Sequence, residues 1–193
     1  MDEHTTSVVL CGVGGQGTIL AAEILAGVAL NSGLDVKQTA VHGMAQRGGA
    51  VLTNVRFGPK VSSMVIDEAS ADILLAFETT EAFRNLKYLK KDGVLFVNDE
   101  SIEPLPVLIG NEEMPKKPRK QLKELGAKII DASMLAQLAG NPKTCNVALI
   151  GAFSTAMDFD EQLWIEEIKR KVPEKSIEAN LQAFALGKEA ALR

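Results

Sequence analysis

The fold of this chain is decided near its beginning, in the stretch Ser7-Val8-Val9-Leu10-Cys11-Gly12-Val13-Gly14-Gly15-Gln16-Gly17. A short apolar run leads into a Gly-x-Gly-x-x-Gly turn, and a helical pattern follows from Thr18 to about Asn31. Glycine suits this turn because it adopts backbone angles that a Cβ forbids and lets a ligand or a neighbouring strand come close. The pattern predicts a strand, a tight turn and a helix whose first N–H groups point at an anion.

The second half of a dinucleotide fingerprint is missing. A Rossmann site for NAD also places an Asp or Glu at the end of the second strand, where it binds the ribose. We predict that strand over residues 36–41, and no acidic residue lies between Asp35 and Asp67. Two alternatives to a complete nucleotide site stay open at this point. One is a plain turn of a doubly wound sheet, and the other is an NAD(P)-binding Rossmann dehydrogenase, which the missing acidic residue disfavours.

The rest of the chain alternates β-branched runs with helical runs, which is typical of an α/β fold. We expect a Rossmann-like, mostly parallel sheet flanked by helices, with a helical C-terminal third that begins near Met134. Thr79 or Thr80 is expected to cap a helix that ends at Gly93. The predicted strands after the second are 50–57, a short edge strand at 61–66, 72–77, 94–98, a short strand at 107–109 and 127–131.

Composition limits the function classes. The 193 residues suit one domain, and the net charge of −4 gives no reason to expect nucleic acid or an anionic membrane as a partner. The polar opening, residues 1–4, shows no signal-peptide pattern, so we expect a cytoplasmic protein. With only two cysteines and two histidines, the chain cannot supply the roughly four thiolates of an iron–sulfur cluster. We expect no metal site on this chain, and any redox centre must come from another chain.

Ligands of such sheets bind at the carboxyl ends of the strands. Three predicted loops lie there, at residues 12–17, 42–49 and 78–80. The second loop reads His-Gly-Met-Ala-Gln-Arg-Gly-Gly, and its Arg47 is suited to bidentate recognition of a carboxylate or phosphate. An isolated surface arginine is the alternative, but the facing glycine loop favours the functional interpretation.

Three further side chains are candidates for ligand contact. Gln16 offers both a donor and an acceptor, although it could instead cap the first helix. An unperturbed histidine has a pKa near 6.5 and can act as a base, but His42 has no adjacent carboxylate in the sequence, which favours a structural or ligand-contact role over base catalysis. Glu78 could be a buried acid, and an ordinary first-turn helix residue is the favoured alternative. No catalytic residue can be assigned, and these residues alone indicate a binding or scaffolding domain.

The combination of motifs resembles a known family. The glycine loop, the stretch 42–51, Asn-Val-Ala-Leu-Ile-Gly-Ala at 146–152 and Asn-Leu-Gln-Ala-Phe-Ala-Leu-Gly at 180–187 occur in the order found in the gamma-type domain of the 2-oxoacid:ferredoxin oxidoreductases. The resemblance spans residues 1–193 as a single catalytic domain of the pyruvate/ketoisovalerate oxidoreductase gamma type. Within the family, the Gly-Met-Ala-Gln-Arg-Gly-Gly form is most similar to the small, beta subunits of the indolepyruvate branch.

The resemblance implies a non-autonomous subunit of a two-subunit enzyme. The large alpha subunit of that family carries thiamine diphosphate, Mg and iron–sulfur clusters, and the complex converts an aryl 2-oxoacid and coenzyme A to an aryl-acetyl-CoA while ferredoxin takes the electrons. A gamma subunit of a pyruvate- or 2-oxoglutarate-type relative and a pure assembly module remain alternatives. The implied substrate- or CoA-binding residues, at the subunit junction, are Gly14, Gly15, Gln16, Gly17, His42, Gln46, Arg47, Gly48, Gly49 and Glu78.

Overall fold

A computed structural model describes residues 5–42, 49–102 and 118–193, which form one sheet with helices on both faces. The strands are β1 (Thr6–Val13), β2 (Asp35–His42), β3 (Ala50–Gly58), β4 (Ala71–Ala76), β5 (Leu89–Asn98) and β6 (Lys128–Ile130). The helices are α1 (Thr18–Asn31), α2 (Thr79–Asn85), α3 (Pro118–Glu124), α4 (Ala132–Leu138), α5 (Cys145–Ser154), α6 (Glu161–Lys171) and α7 (Ile177–Leu192). Short 3-10 turns cover Leu86–Tyr88, Pro142–Thr144 and Glu174–Ser176.

The sheet has the strand order β2-β3-β1-β4-β5-β6. The pairs β1–β4, β4–β5 and β5–β6 are parallel, whereas β3 runs antiparallel to both β1 and β2. Five of the strands therefore point the same way, which confirms the predicted mostly parallel α/β fold. In a Rossmann sheet β2 lies directly beside β1, but here β3 separates them.

Burial along the strands follows their position in the sheet. In β1 every residue from Ser7 to Val13 is buried, and in β4 only Asp72 is partly exposed. Both strands have neighbours on each side and helices on each face, so a continuous apolar run is the stable choice. β3 instead alternates buried and partly buried residues, because only one of its faces is fully covered.

The core has two layers, one on each face of the sheet. On one face, α1 and the C-terminal helices pack over β1, β4 and β5, with Leu10, Leu75, Phe96 and Trp164 buried between them. On the other face, α2 and α3 cover a smaller cluster that includes Val9, Leu74 and Leu122. Among the described residues, no helix is long and apolar enough to cross a membrane.

The helices α5 and α7 cross at unusually short range. A Cβ added at Gly151 would lie 2.0 Å from the carbonyl oxygen of Phe184, and one added at Gly187 would lie 1.8 Å from that of Ala148. Only glycine therefore allows the two backbones to approach this closely. The small residues that the sequence shows at 148–156 are explained by this packing.

Two local predictions were wrong, and the short strand predicted at 107–109 lies outside the residues that the structure describes. No strand forms over 61–66, although Val61 and Ile66 are buried, because this segment is held by bonds such as Val61 N–H to the Asp35 carboxylate at 2.8 Å rather than by a ladder. The helix predicted to end at Gly93 is α2, which already ends at Asn85. Gly93 lies inside β5, where a Cβ would come within 2.5 Å of Leu89 Cδ1, so glycine serves strand packing there.

Candidate functional site

The glycine loop (residues 12–17) and Gly49, the last residue of the loop at 42–49, meet at the carboxyl edge of the sheet. The Gly14 N–H donates to the Gly49 carbonyl at 2.9 Å, and Val13 is paired with Ala50 at the last step of the β1–β3 ladder. His42 is the final residue of β2 and is paired with Val51. The predicted contacts of Gln46, Arg47 and Gly48, and of the His42 side chain, fall outside the described part of the chain and stay predictions.

The glycine loop is held close to the start of α5. Gly17 has a left-handed backbone with φ of 80°, and an added Cβ would lie 2.5 Å from Asn146 Nδ2. That same amide nitrogen donates to the Gly17 carbonyl at 3.4 Å. Gly17 is also the N-cap residue of α1, and no side chain caps this helix. The alternative that Gln16 only caps α1 is therefore wrong.

Gln16 joins the glycine loop to the end of β4. Its Oε1 accepts from the Val13 N–H at 2.8 Å, and its Nε2 donates to the Phe77 carbonyl at 3.2 Å. A carboxamide is needed at this position, because its oxygen accepts one of these hydrogen bonds while its nitrogen donates the other. Gln16 thus fixes the loop conformation and also presents part of its side chain to the adjoining cavity.

A cavity of about 450 Å³ opens beside these groups. The glycine loop forms one wall, the ends of β4 and β5 form the floor, and the beginnings of α4 and α5 form the other wall. Its volume falls within the range of small-molecule pockets. The lining residues are Gly15, Gln16, Phe77, Asn98, Glu100, Ser133, Pro142, Lys143, Cys145 and Asn146.

Asn98, at the end of β5, joins the elements around this cavity. Its amide lies 3.2 Å from the Phe77 carbonyl, 3.2 Å from Glu100 Oε2 and 3.6 Å from Cys145 Sγ. Its Oδ1 accepts from the Ala132 N–H at 3.0 Å. Only 1% of Asn98 is exposed. Sequence reasoning missed this residue, although its position as the last residue of an apolar strand is a signal that the strand-end rule could have used.

Cys145 is the partly exposed thiol of the site. Ser133 Oγ lies 3.7 Å from its Sγ, opposite the Asn98 amide. Burial raises the pKa of this thiol, and the Glu100 and Asp131 carboxylates add to that effect, while the two hydrogen bonds oppose it. The group is therefore a thiol at neutral pH, since a nucleophilic thiolate requires a lowered pKa.

Glu78 caps α2 from a fully buried position. Its carboxylate accepts from the backbone N–H groups of Thr80 and Glu81 and, at 3.4 Å, from that of Ile102. Glu78 is thus the N-cap residue of α2, so the prediction that Thr79 or Thr80 caps this helix was wrong. The favoured alternative, that Glu78 is an ordinary first-turn residue, was also wrong. Its role as the N-cap accounts for its burial structurally, and its implied ligand contact stays a prediction.

Glu81, one turn further along, is also buried. Burial raises the pKa of its carboxyl and so does the nearby Glu78, while the Arg84 guanidinium at 3.3 Å opposes the shift. The Cys11 thiol of β1 donates to the Glu81 carbonyl at 3.5 Å. Glu78 and Glu81 stabilise the start of α2, and neither lines the cavity.

The site as described is suited to binding. It offers amides, a hydroxyl, a thiol, the Glu100 carboxylate and the Lys143 ammonium, which can orient a polar ligand. Within residues 5–42, 49–102 and 118–193, no group of three or more His, Cys, Asp or Glu side chains could hold a metal. A ribose-binding acid at the end of β2 is also missing, because Asp35 lies at the opposite end of that strand.

Comparison with known proteins identifies the class. The chain belongs to the pyruvate ferredoxin/flavodoxin oxidoreductase family, whose model matches residues 7–190. It is 43% identical to indolepyruvate oxidoreductase subunit IorB of Thermococcus kodakarensis, over 96% of this chain and 95% of the relative. It is 41% identical to the subunit of the same name from Pyrococcus horikoshii, again over 96% and 95% of the two chains.

A solved structure supports the fold. The gamma subunit of a keto/oxoacid ferredoxin oxidoreductase from Geobacter sulfurreducens superposes with a TM-score of 0.72, covering 97% of this chain and 98% of the other at 24% identity. The agreement extends over both chains almost completely, so the sheet with its C-terminal helices forms a fold that the two proteins share.

Proposed function

We propose that this chain is the small, beta subunit of an indolepyruvate-type 2-oxoacid:ferredoxin oxidoreductase. The observation that carries the proposal is the likeness to indolepyruvate oxidoreductase subunits along almost the whole length of both chains. In this proposal the chain forms one gamma-type domain of 193 residues and catalyses no turnover without the alpha subunit.

The chemistry of the reaction is divided between two chains. The proposed complex oxidises an aryl 2-oxoacid, releases CO₂, transfers the acyl group to coenzyme A and passes two electrons to ferredoxin. In this proposal thiamine diphosphate, Mg and the iron–sulfur clusters belong to the large alpha subunit, as the resemblance to the family implies. The two cysteines of this chain are too few to ligate an iron–sulfur cluster. This chain contributes a polar binding wall at the carboxyl edge of its sheet.

The glycine loop and the stretch 42–49 form the side of this wall that faces the alpha subunit. Support comes from the Gly14–Gly49 backbone bond, which brings the two segments together. Arg47 binds a carboxylate of the 2-oxoacid or a phosphate of coenzyme A, because its guanidinium matches either anion. The proposed contact residues are Gly14, Gly15, Gln16, Gly17, His42, Gln46, Arg47, Gly48, Gly49 and Glu78.

A substrate panel tests the proposed specificity. The chain is purified anaerobically with its alpha subunit, and CoA-dependent reduction of a viologen dye is measured with indolepyruvate, phenylpyruvate, pyruvate and 2-oxoglutarate. We expect kcat/KM to be at least about tenfold higher for the aryl 2-oxoacids than for the other two, which corresponds to about 1.4 kcal/mol of transition-state discrimination. A preference for pyruvate or 2-oxoglutarate would instead assign the chain to another branch of its family.

A further inference from the structure

Two side-chain amides share one backbone acceptor between the walls of the cavity. Gln16 Nε2 and Asn98 Nδ2 both donate to the Phe77 carbonyl oxygen, each at 3.2 Å. Gln16 belongs to the glycine loop, whereas Asn98 ends β5, so the two come from separate parts of the chain. The carbonyl at the end of β4 is thus a common anchor for both walls.

We infer that Gln16 and Asn98 act as one positioning unit that sets the separation of the cavity walls and thereby decides how well a ligand fits between them. This inference rests on the proposed function for its kinetic consequence, but its structural part does not. Gln16 holds the glycine loop through the Val13 N–H. Asn98 holds the opposite wall through the Ala132 N–H, at the beginning of α4, and through Cys145 at the beginning of α5.

Both positions require a neutral carboxamide. At position 98 a carboxylate would keep the acceptor for Ala132, but it would lose the donor and place a negative charge against the Phe77 carbonyl and Glu100. At position 16 a carboxylate would keep the acceptor for Val13 and repel the same carbonyl. Because Asn98 is almost fully buried, this repulsion is weakly screened by solvent.

The unit acts through the shape of the cavity rather than on the reacting atoms. A ligand held by groups on both walls needs them at a fixed distance, and small displacements of positioning groups weaken binding strongly. Removing either amide therefore weakens binding of the organic substrate that enters the cavity. Once one amide is lost the walls are already uncoupled, so losing the second has less effect than it has in the intact site.

The kinetic test uses Asn98→Asp, Gln16→Glu and the double variant in the complex with the alpha subunit. Asn180→Asp is the matched control, because Asn180 is 6% exposed, donates to the Ser176 carbonyl at 2.8 Å and lies in α7 away from the cavity. We expect each site variant to raise the KM of coenzyme A or of the 2-oxoacid about tenfold while kcat changes less than about threefold. The double variant should fall short of the product of the single effects, and the control should leave both KM values unchanged.

Unchanged KM values in both site variants, or a double variant equal to the product of the single effects, would overturn the inference. A second measurement, hydrogen exchange of the isolated full chain, does not depend on the proposed function. Asn98→Asp should increase exchange of the backbone amides at 13–18 as well as that of Ala132, whereas Asn180→Asp should increase neither. Exchange that rises only around Ala132 would show that the walls are not coupled. A wild-type complex without 2-oxoacid-dependent dye reduction would refute the proposed function alone.

Discussion

At the scale of single residues, the candidate site is built largely from neutral amides. Gln16, Asn98 and Asn146 each connect a loop to a neighbouring element through a backbone carbonyl. A carboxamide offers donors and an acceptor together, which suits the crowded ends of parallel strands, where carbonyls and N–H groups both need partners. Charge enters at the edge of this network, through Glu100 and Lys143 on the cavity lining.

Replacement of Arg47 tests the proposed anion contact. Loss of a charge-assisted hydrogen bond costs about 1.5–3 kcal/mol, so Arg47→Ala should raise the KM of one organic substrate by about 10- to 100-fold in the assembled complex. Arg193→Ala serves as the control, because that side chain is exposed and forms an ion pair with Glu189 one turn earlier in the chain. Steady-state kinetics with both substrates would contradict the account if neither KM changed.

The buried Glu81 makes stability depend on pH. Since its pKa is raised in the folded state, folding favours the protonated form. That contribution to stability is fully present below the pKa of the unfolded chain and is lost as pH rises through the higher pKa of the folded protein. The free energy of unfolding of Glu81→Gln, taken relative to that of the wild type, should therefore increase as the pH rises from 4 to 7.5. Urea denaturation at a series of pH values measures this difference. The control variant Glu124→Gln, at an exposed position, should show no such pH-dependent increase in stability. If the stability difference between Glu81→Gln and the wild type stayed constant with pH, Glu81 would not be the source of the pH dependence.

The two thiols should differ in reactivity. Cys145 is partly exposed with a raised pKa, and Cys11 is fully buried with a pKa well above its ordinary value. We expect iodoacetamide at pH 7.5 to label Cys145 several-fold more slowly than free cysteine, with a rate that keeps rising toward pH 9.5, and to leave Cys11 unlabelled in the native chain. Peptide mass spectrometry reads both sites, with Cys145→Ser as the control. Labelling of Cys145 as fast as free cysteine would be incompatible with its raised pKa.

At the scale of secondary structure, close helix packing holds the C-terminal third onto the sheet. The α5–α7 crossing depends on two glycines that face backbone carbonyls, while Trp164 lies between Phe153 and Phe184 with ring centroids 6.2 and 6.1 Å away. Because α5 also begins at the cavity, this crossing fixes the position of one wall of the site.

An added methyl group at this crossing should be costly. Gly187→Ala would force a Cβ against the Ala148 carbonyl oxygen, which belongs to the backbone of a buried helix and cannot move away. We expect a loss of about 3 kcal/mol in the free energy of unfolding, despite the better helix propensity of alanine. Ala185→Ser adds one atom on the exposed side of the same helix and should change stability by less than about 0.5 kcal/mol. Thermal and urea denaturation distinguish these outcomes, and equal effects of the two variants would contradict the close-packing model.

The positions of most strands and helices along the chain were predictable, whereas some of the contacts between these elements were not. The apolar runs of β1 and β4 and the glycine turn are local signals. The reversal of β3 also had a signal, because seven residues (43–49) separate β2 from β3 and a parallel return needs a crossover of about a dozen or more. The strand-end position of Asn98 was a local signal, but its partners were not predictable, since they depend on the end of β4 and the beginnings of α4 and α5 meeting in space.

At the scale of the whole molecule, the chain has the features of a small subunit of a 2-oxoacid:ferredoxin oxidoreductase. It has a full core of its own and a polar cavity at one edge of its sheet, and the family to which it belongs consists of oxidoreductases. The sequence contains too few thiols for a cluster, and the inserted β3 separates β2 from the glycine loop, unlike in a nucleotide-binding dehydrogenase. We therefore expect activity only when a second chain is present.

The most direct measurement is an anaerobic omission assay. This chain, the alpha subunit and the reconstituted pair are each assayed for viologen reduction with indolepyruvate and coenzyme A, and NAD(H) binding to the isolated chain is titrated in parallel. The account predicts activity in the pair alone, loss of activity when either organic substrate is omitted, and no NAD(H) binding by this chain. An isolated chain that binds NAD(H), together with a reconstituted pair that stays inactive, would contradict it.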